Sequence, residues 1–277
     1  MNKLVIAFLF ISFNLSTQAQ NSDEIILTYE NWEEYSIADL DTDPKNFPKH
    51  EIFFGGYNYE GLLGIGGYVY TQPKDFQIKA LAGINGFSGE LSYFFKSSTK
   101  TIDQTLDIHS KYLGSNIDWQ INTRTLTFEQ YKAVLPTERV GSFGLTGAVE
   151  YYTVRRESDG FSGVNDYNVI HYVVGFSMLS SKHLTFLFNG KKSKRKSLSS
   201  KLFIGMVFMN ETLFEDQPVT PVELNNLVPR ISYEISTSTS PSGRGGLRLL
   251  IGYQPPTGLY EGNLGLMLGI GYRRTLG

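Results

Sequence analysis

From about Ile52 onwards, apolar residues fall on every second position, and the alternation persists to the end of the chain. The last stretch shows it most plainly. Leu264, Leu266, Leu268, Ile270 and Tyr272 share one parity, while Gly265, Met267, Gly269, Gly271 and Arg273 share the other. A repeat of two sends successive side chains to opposite faces of a strand, so this segment predicts a strand with one greasy face and one small or charged face. The design recurs upstream. Leu247, Leu249, Ile251 and Tyr253 alternate with Arg248, Leu250 and Gly252, and Ile170, Tyr172, Val174, Phe176 and Met178 alternate with Val169, His171, Val173, Gly175 and Ser177. Phe143, Leu145, Val149 and Tyr151 alternate with Gly144, Thr146, Ala148 and Glu150, and Leu91, Tyr93 and Phe95 with Glu90, Ser92, Phe94 and Lys96. Runs of about nine to eleven alternating residues have the length a tilted strand needs to cross a bilayer.

Segments of this kind are expected near 62–72, 76–86, 88–97, 104–113, 117–128, 142–155, 167–179, 183–190, 200–212, 228–238, 244–254 and 263–274, with a weaker one at 52–59. Turn-forming clusters separate many of them: Gln72-Pro73-Lys74-Asp75, Asn85-Gly86, Asn189-Gly190, Ser240-Pro241-Ser242-Gly243 and Pro255-Pro256-Thr257-Gly258. Bacterial single-chain barrels have even strand numbers. The expected fold is therefore all-β, an antiparallel up-and-down transmembrane β-barrel of about 12 strands, with 10 to 14 compatible. One feature resists this count. With the C-terminus on the periplasmic side, 213–227 and 255–262 become outer loops, as they should, but 156–166 becomes a long periplasmic turn and Ser180 to Lys182 a very short outer loop.

Ahead of the barrel domain (52–277), helical periodicity is scarce. Glu30 to Leu40 carries Trp32, Tyr35 and Ile37 among acids and stops at Asp41-Thr42-Asp43-Pro44, so residues 20–51 read as an irregular or partly helical leader. Residues 1–19 read as a secretory signal peptide. Lys3 supplies the positive start, Leu4 to Phe13 the apolar run, and Thr17-Gln18-Ala19 the small residues before a cut ahead of Gln20. A membrane anchor would need about 20 apolar residues, roughly twice this run.

Composition agrees. The chain has 28 Gly, 19 Phe and 17 Tyr but only 2 Trp, and its charged fraction of 19% lies below the ~25% of ordinary soluble domains. Lipid-facing alternation produces this balance without any long apolar span. No cysteine is present, which excludes a disulfide scaffold and a thiolate metal site. Lys plus Arg number 25 against 27 Asp plus Glu, so nothing points to nucleic acid.

The closing segment, Leu264 to Leu276, resembles the C-terminal targeting strand of bacterial outer-membrane barrels, with Gly265 or Gly269 as its glycine and Leu268, Ile270 and Tyr272 as its apolar alternates. It ends Leu276-Gly277 after Arg273-Arg274-Thr275, where such strands usually finish on an aromatic. With the cut before Gln20 and the Gly- and Tyr-rich style, residues 52–277 look like outer-membrane barrels common in Bacteroidota. The resemblance is architectural. It implies export by a cleaved signal peptide, an outer-membrane location, assembly by the barrel insertion machinery and contact with outer-membrane lipid. It implies no cofactor and identifies no solute or protein partner.

Candidate chemistry is sparse. His50, His109, His171 and His183 form no metal-ligand spacing. His171 has the inward parity and shares it with Ser177, so a lipid-modifying enzyme using a histidine base is one reading and a hydrogen-bonded interior filler the other. Outer-membrane lipases resemble a His-x-Ser pattern that neither His109 nor His171 matches, and no paired acids suggest a barrel protease. Lys79, Glu90, Lys96, Glu150, Arg248 and Arg273 also fall on the inward parity. An ion on the lipid face would cost about 2–4 kcal/mol at mid-depth, so these residues are expected in the lumen, either pairing and plugging it or lining water. The run Lys191, Lys192, Lys194, Arg195 and Lys196 reads as a solvated hairpin tip, or as a clamp for lipid phosphates or an acidic partner. Gly61 to Gly67 lies in a period-two context and is no nucleotide loop. Three functions follow: a non-enzymatic pore or small-solute or partner-binding barrel; a membrane-embedded lipid-modifying enzyme; or a soluble exported β-rich binding protein.

Overall fold

Alternation becomes strand wherever the pattern is strong. A computed structural model describes residues 24–28, 37–59, 61–118, 123–157, 164–188, 192–214, 223–238, 244–256 and 264–276. Its strands are β1 (Glu24–Thr28), β2 (Ile37–Asp41), β3 (His50–Tyr59), β4 (Leu62–Gln72), β5 (Phe76–Gly83), β6 (Gly86–Asp118), β7 (Thr123–Glu157), β8 (Val164–Phe188), β9 (Lys192–Phe214), β10 (Glu223–Ser238), β11 (Gly245–Tyr253) and β12 (Leu266–Leu276). The chain forms two compact units. In the larger, residues 36–102 and 136–277, each strand from β3 to β12 pairs with its successor, and β12 returns to β3 from Leu268↔Asn58 to Leu276↔His50. The result is a closed antiparallel barrel of ten strands. Outside the ring, β2 pairs with β8 where β7 has left it, from Ile37↔Phe188 to Asp41↔Thr185. The smaller unit contains β1 and residues 103–135 of β6 and β7, with β1 parallel to β7 from Glu24↔Thr125 to Thr28↔Glu129.

Ten strands replace the expected twelve for a specific reason. The segments at 88–97 and 104–113 are one strand, as are 167–179 and 183–190, and the segments at 117–128 and 142–155 run together in β7 from Thr123. The polar stretches between them, Ser97 to Thr101 and Ser180 to Lys182, contain no Gly or Pro to reverse the chain, and hydroxyl residues sit comfortably in extended backbone. The weak segment at 52–59 is a full barrel strand. With Ser180 to Lys182 inside β8, the conflict over loop sides disappears. The connections 73–75, 119–122, 189–191 and 239–244 fall at the end that carries His50 and Leu276, and 158–163, 215–222 and 254–265 fall at the other together with the two-residue links 60–61 and 84–85.

The leader differs too. Ile37 to Leu40, expected in a helical stretch, form strand β2, because the free edge of β8 offers a ladder that outweighs a weak local preference. Glu30 to Ser36 and the signal peptide at 1–19 lie outside the described residues.

The faces follow the parity. Leu266, Leu268, Ile270 and Tyr272 are exposed, Ile270 by 62%, while Met267 and Arg273 between them are buried. Tyr172, Val174, Phe176 and Met178 point out, and Val169, His171, Val173 and Ser177 point in. In β4 the parity changes hands. Leu63 and Ile65 are exposed, yet Val69 and Thr71 are buried. The Gly66-Gly67 doublet absorbs this shift, where the register to β5 slips between Gly64 and Gly66. A Cβ on Gly67 would stand 2.1 Å from the Ala80 carbonyl oxygen, so only glycine fits there.

The inward glycines of β12 have an equally concrete role. Gly269 lies opposite Tyr57, and a Cβ there would sit 2.3 Å from Tyr57 Cδ1; one on Gly271 would sit 2.2 Å from the Tyr57 hydroxyl. The ring of Tyr57 therefore fills a notch that two missing side chains leave. Gly269→Ala should lower the unfolding midpoint by the equivalent of about 1–3 kcal/mol. Combining it with Tyr57→Ala should give less than the sum of the two losses, as measured by urea titration followed by circular dichroism.

Candidate functional site

Inward-facing charges buried in a barrel interior are costly unless they pair, so in a packed interior they must find each other. Here they do. Lys79 faces Glu90 across the β5–β6 ladder, with Nζ 3.0 Å from its carboxylate, and also reaches Glu234 on β10 at 2.5 Å. Lys201, opposite Glu234 in register, pairs with Glu90 and donates to Ser92 Oγ at 2.6 Å. Arg248 donates to Glu234 and, at 2.8 Å, to Glu51, with its guanidinium 4.6 Å from the Phe53 ring centre. Arg273 completes the row, donating to Glu51 and to Ser197 Oγ at 2.8 and 2.6 Å. Signs alternate along this chain of seven groups: Lys201, Glu90, Lys79, Glu234, Arg248, Glu51, Arg273.

A second cluster stands beside it. Arg230 grips Glu150 with both terminal nitrogens, at 2.6 and 2.8 Å, and donates from Nε to Gln254 at 2.6 Å. His171, opposite Glu150 in the β7–β8 ladder, has Nδ1 3.2 Å from Glu150 and Nε2 3.2 Å from the Tyr152 hydroxyl. Ser177, the prospective nucleophile, hydrogen-bonds Thr146 at 2.6 Å instead, so His171 is a hydrogen-bonded interior residue with no serine beside it among the described residues.

Apolar side chains fill the rest. Phe53, Tyr57, Leu62, Leu81, Tyr152, Val169, Leu250 and Met267 form one inner cluster, and Val173, Phe203, Val207, Met209 and Val228 another. The space left among the charges amounts to cavities of about 20 and 10 Å³. That is at most about one water apiece, so among the described residues this layer is closely packed. Phe47, just past the 3-10 turn at Pro44–Asn46, borders the smaller cavity beside Glu51 and Arg248 and meets His183 edge-on at 6.3 Å.

Of the residues expected inside, Lys79, Glu90, Glu150, His171, Arg248 and Arg273 all belong to these clusters. Lys96 does not. It keeps the inward parity but is exposed, because β6 has by then run past the packed interior. Glu51, Lys201, Arg230 and Glu234 escaped the sequence reading. Glu51 fell on the leader side of the barrel boundary, and Arg230 follows a proline, but Glu234 between Tyr233 and Ile235 carried a readable parity. The basic run is not a loop tip throughout. Lys192 to Lys196 lie in β9, paired with Phe188 to Leu184, and Arg195 and Lys196 are half-buried; Lys191 lies outside the described residues. Gly61 to Gly67 leads into and lies along β4. Comparison with protein-family models, curated proteins and solved structures gives no match for this chain.

Glu234→Ala removes the carboxylate shared by Lys79 and Arg248 and should cost about 3–5 kcal/mol. Replacing Lys79 and Glu234 together by Met and Leu should recover much of that loss in the same unfolding titration. His183 supplies a pH test. It is buried with Nε2 unpartnered, and burial holds its pKa below the ordinary 6.5; Asp41 and Asp43 act against that shift and Arg195 adds to it. A histidine depressed in the fold stabilises it above the unfolded pKa and loses that contribution as pH falls towards the folded one. Lowering pH from 7.5 to 5 should therefore lower the protection factors of the β2 amides, that is, exchange rates corrected for the intrinsic pH dependence, and His183→Phe should abolish that loss of protection.

Proposed function

We propose that this chain is an outer-membrane β-barrel whose lumen is sealed by paired charges, and that it works as a membrane-embedded binding or anchoring body and not as an open pore. One observation carries the reading: large apolar side chains are exposed around the ring while the charges lie inside. Phe87, Leu91, Tyr93 and Phe95 on β6, Leu227, Ile231 and Tyr233 on β10 and Leu247, Leu249, Ile251 and Tyr253 on β11 all face outward. Water-soluble monomers rarely expose contiguous apolar patches beyond a few hundred Å². A soluble exported β-protein would pack these side chains against each other; here the core is built from the opposite parity.

Aromatic rings support the same reading. Phe87 and Tyr151 sit 5.5 Å apart towards one end of the barrel, and Phe95, Phe143 and Phe176 follow at 5.3 and 5.6 Å towards the other, as interfacial girdles require. From Phe87 to Phe95 is roughly 27 Å along the strand, which a tilt of ~35–45° reduces to about 19–22 Å along the barrel axis, close to but short of the ~25 Å height of a barrel's apolar band. The residual cavities inside are too small for ion passage.

The protein should require detergent to stay in solution and should migrate differently on gels before and after boiling. In planar bilayers the purified chain should give no discrete conductance steps. Solubility without detergent would end the membrane reading. Regular steps from the intact chain would replace the sealed barrel with a pore.

A further inference from the structure

On the outer face, where β7, β8 and β9 run side by side, the ladder stacks three kinds of residue in order. Phe143 faces Met178, which faces Leu202; two residues further, Gly141 faces Ser180, which faces Ser200; two further again, Arg139 faces Lys182. Each step advances roughly 7 Å along the strands. The small middle row leaves an open groove of about 620 Å³, which Arg139, Ser97 and Tyr233 also line and which Lys182 adjoins as the residue opposite Arg139 in register. We propose that this groove is a binding site for one anionic phospholipid, its acyl chains on Phe143, Met178 and Leu202, its glycerol region over Gly141 and Ser180, and its phosphate between Arg139 and Lys182.

Three observations carry this, and it rests on the membrane reading. First, two cations stand directly opposite each other on adjacent strands, an arrangement that destabilises a sheet unless an anion joins them. Among the described residues no carboxylate pairs with Arg139, Lys182 or Lys96. Second, the guanidinium is already placed: Arg139 Nε donates to Ser180 Oγ at 2.7 Å, leaving its terminal nitrogens to donate in fork geometry to phosphate oxygens. Third, the glycine is not demanded by packing. A Cβ on Gly141 would meet only Ser98 Oγ, at 3.8 Å, so the depression is available to a ligand and is not a packing necessity. The order of apolar, small and basic rows matches an amphiphile with an anionic head. A soluble anion would have no use for the apolar row.

The test uses the purified chain in nonionic detergent and native mass spectrometry with phosphatidylglycerol and phosphatidylcholine of matched acyl chains. Wild type should retain phosphatidylglycerol roughly tenfold better than phosphatidylcholine. Arg139→Gln with Lys182→Gln should erase that preference while leaving heat-modifiable migration intact. Gly141→Leu, with both charges present, should lower phosphatidylglycerol retention by filling the notch. Equal retention of the two lipids by wild type, or a preference that survives the double substitution, would overturn the site. So would inorganic phosphate alone raising the unfolding temperature as much as the lipid does. The membrane reading fails separately, and before any lipid is added, if the chain stays monodisperse without detergent.

Discussion

The row of alternating charges through the barrel interior is the constraint on which the rest depends. Each carboxylate in it touches two cations, and its members come from β9, β6, β5, β10, β11, β3 and β12. A single buried charge costs several kcal/mol unless it is paired, and an outward one would face hydrocarbon in the proposed setting. Side chains alternate with period two, so slipping any of these strands by one residue would move its charge to the outer face and bring a Leu, Ile or Tyr inside. The registers of seven strands are thereby tied together. The bidentate Arg230–Glu150 pair, with His171 beside it, adds β7 and β8 to the set.

Parity was the part of this legible in the chain. The alternation of Leu266, Leu268, Ile270 and Tyr272 with Met267 and Arg273 predicts which residues point in, and it does so for Lys79, Glu90, Glu150, His171, Arg248 and Arg273 as well. What parity cannot tell is where a strand ends. Ser97 to Thr101 and Ser180 to Lys182 are polar, and a turn is polar too; only the absence of Gly and Pro distinguished them. It also cannot tell which inward charge meets which. Glu51 and Arg273 are 222 residues apart in sequence and 2.8 Å apart in space, a contact that exists only because β12 closes on β3. The Gly66-Gly67 doublet was visible as composition, but its effect, exchanging the faces within β4, follows from the register slip against its neighbours.

On the proposed sealed reading, function moves to the surfaces, because a solute entering the charged layer, whose cavity holds about 20 Å³, would have to rearrange several ion pairs at once. The outer face and the ends remain. At the end bearing His50 and Leu276, Phe47, on the segment that follows β2, borders the small cavity beside Glu51 and Arg248. At that end the outer apolar rows give way to serines, Arg139 and Lys182, where hydrocarbon would give way to headgroups.

Charged filling raises a question of physical economy, since well-packed Leu and Met of similar volume would often stabilise a core as much or more. The answer lies in what each filling tolerates. Apolar side chains are nearly indifferent to which neighbour they touch, so a barrel filled with them packs almost as well after a shift of two residues, which keeps the faces and changes only the partners. A sign-alternating row is not indifferent. A shift of β5 by two residues carries Lys79 to a place where Glu90 no longer faces it and takes one cation from Glu234; the same shift of β10 strands Glu234 from both of its cations. Period-two patterning therefore selects the face, and the charge row selects the register within that face. Glycine notches such as the one under Tyr57 act in the same sense, because the ring fits only where two side chains are missing. The two devices together specify a unique closure for ten similar strands that hydrophobic alternation alone would leave degenerate.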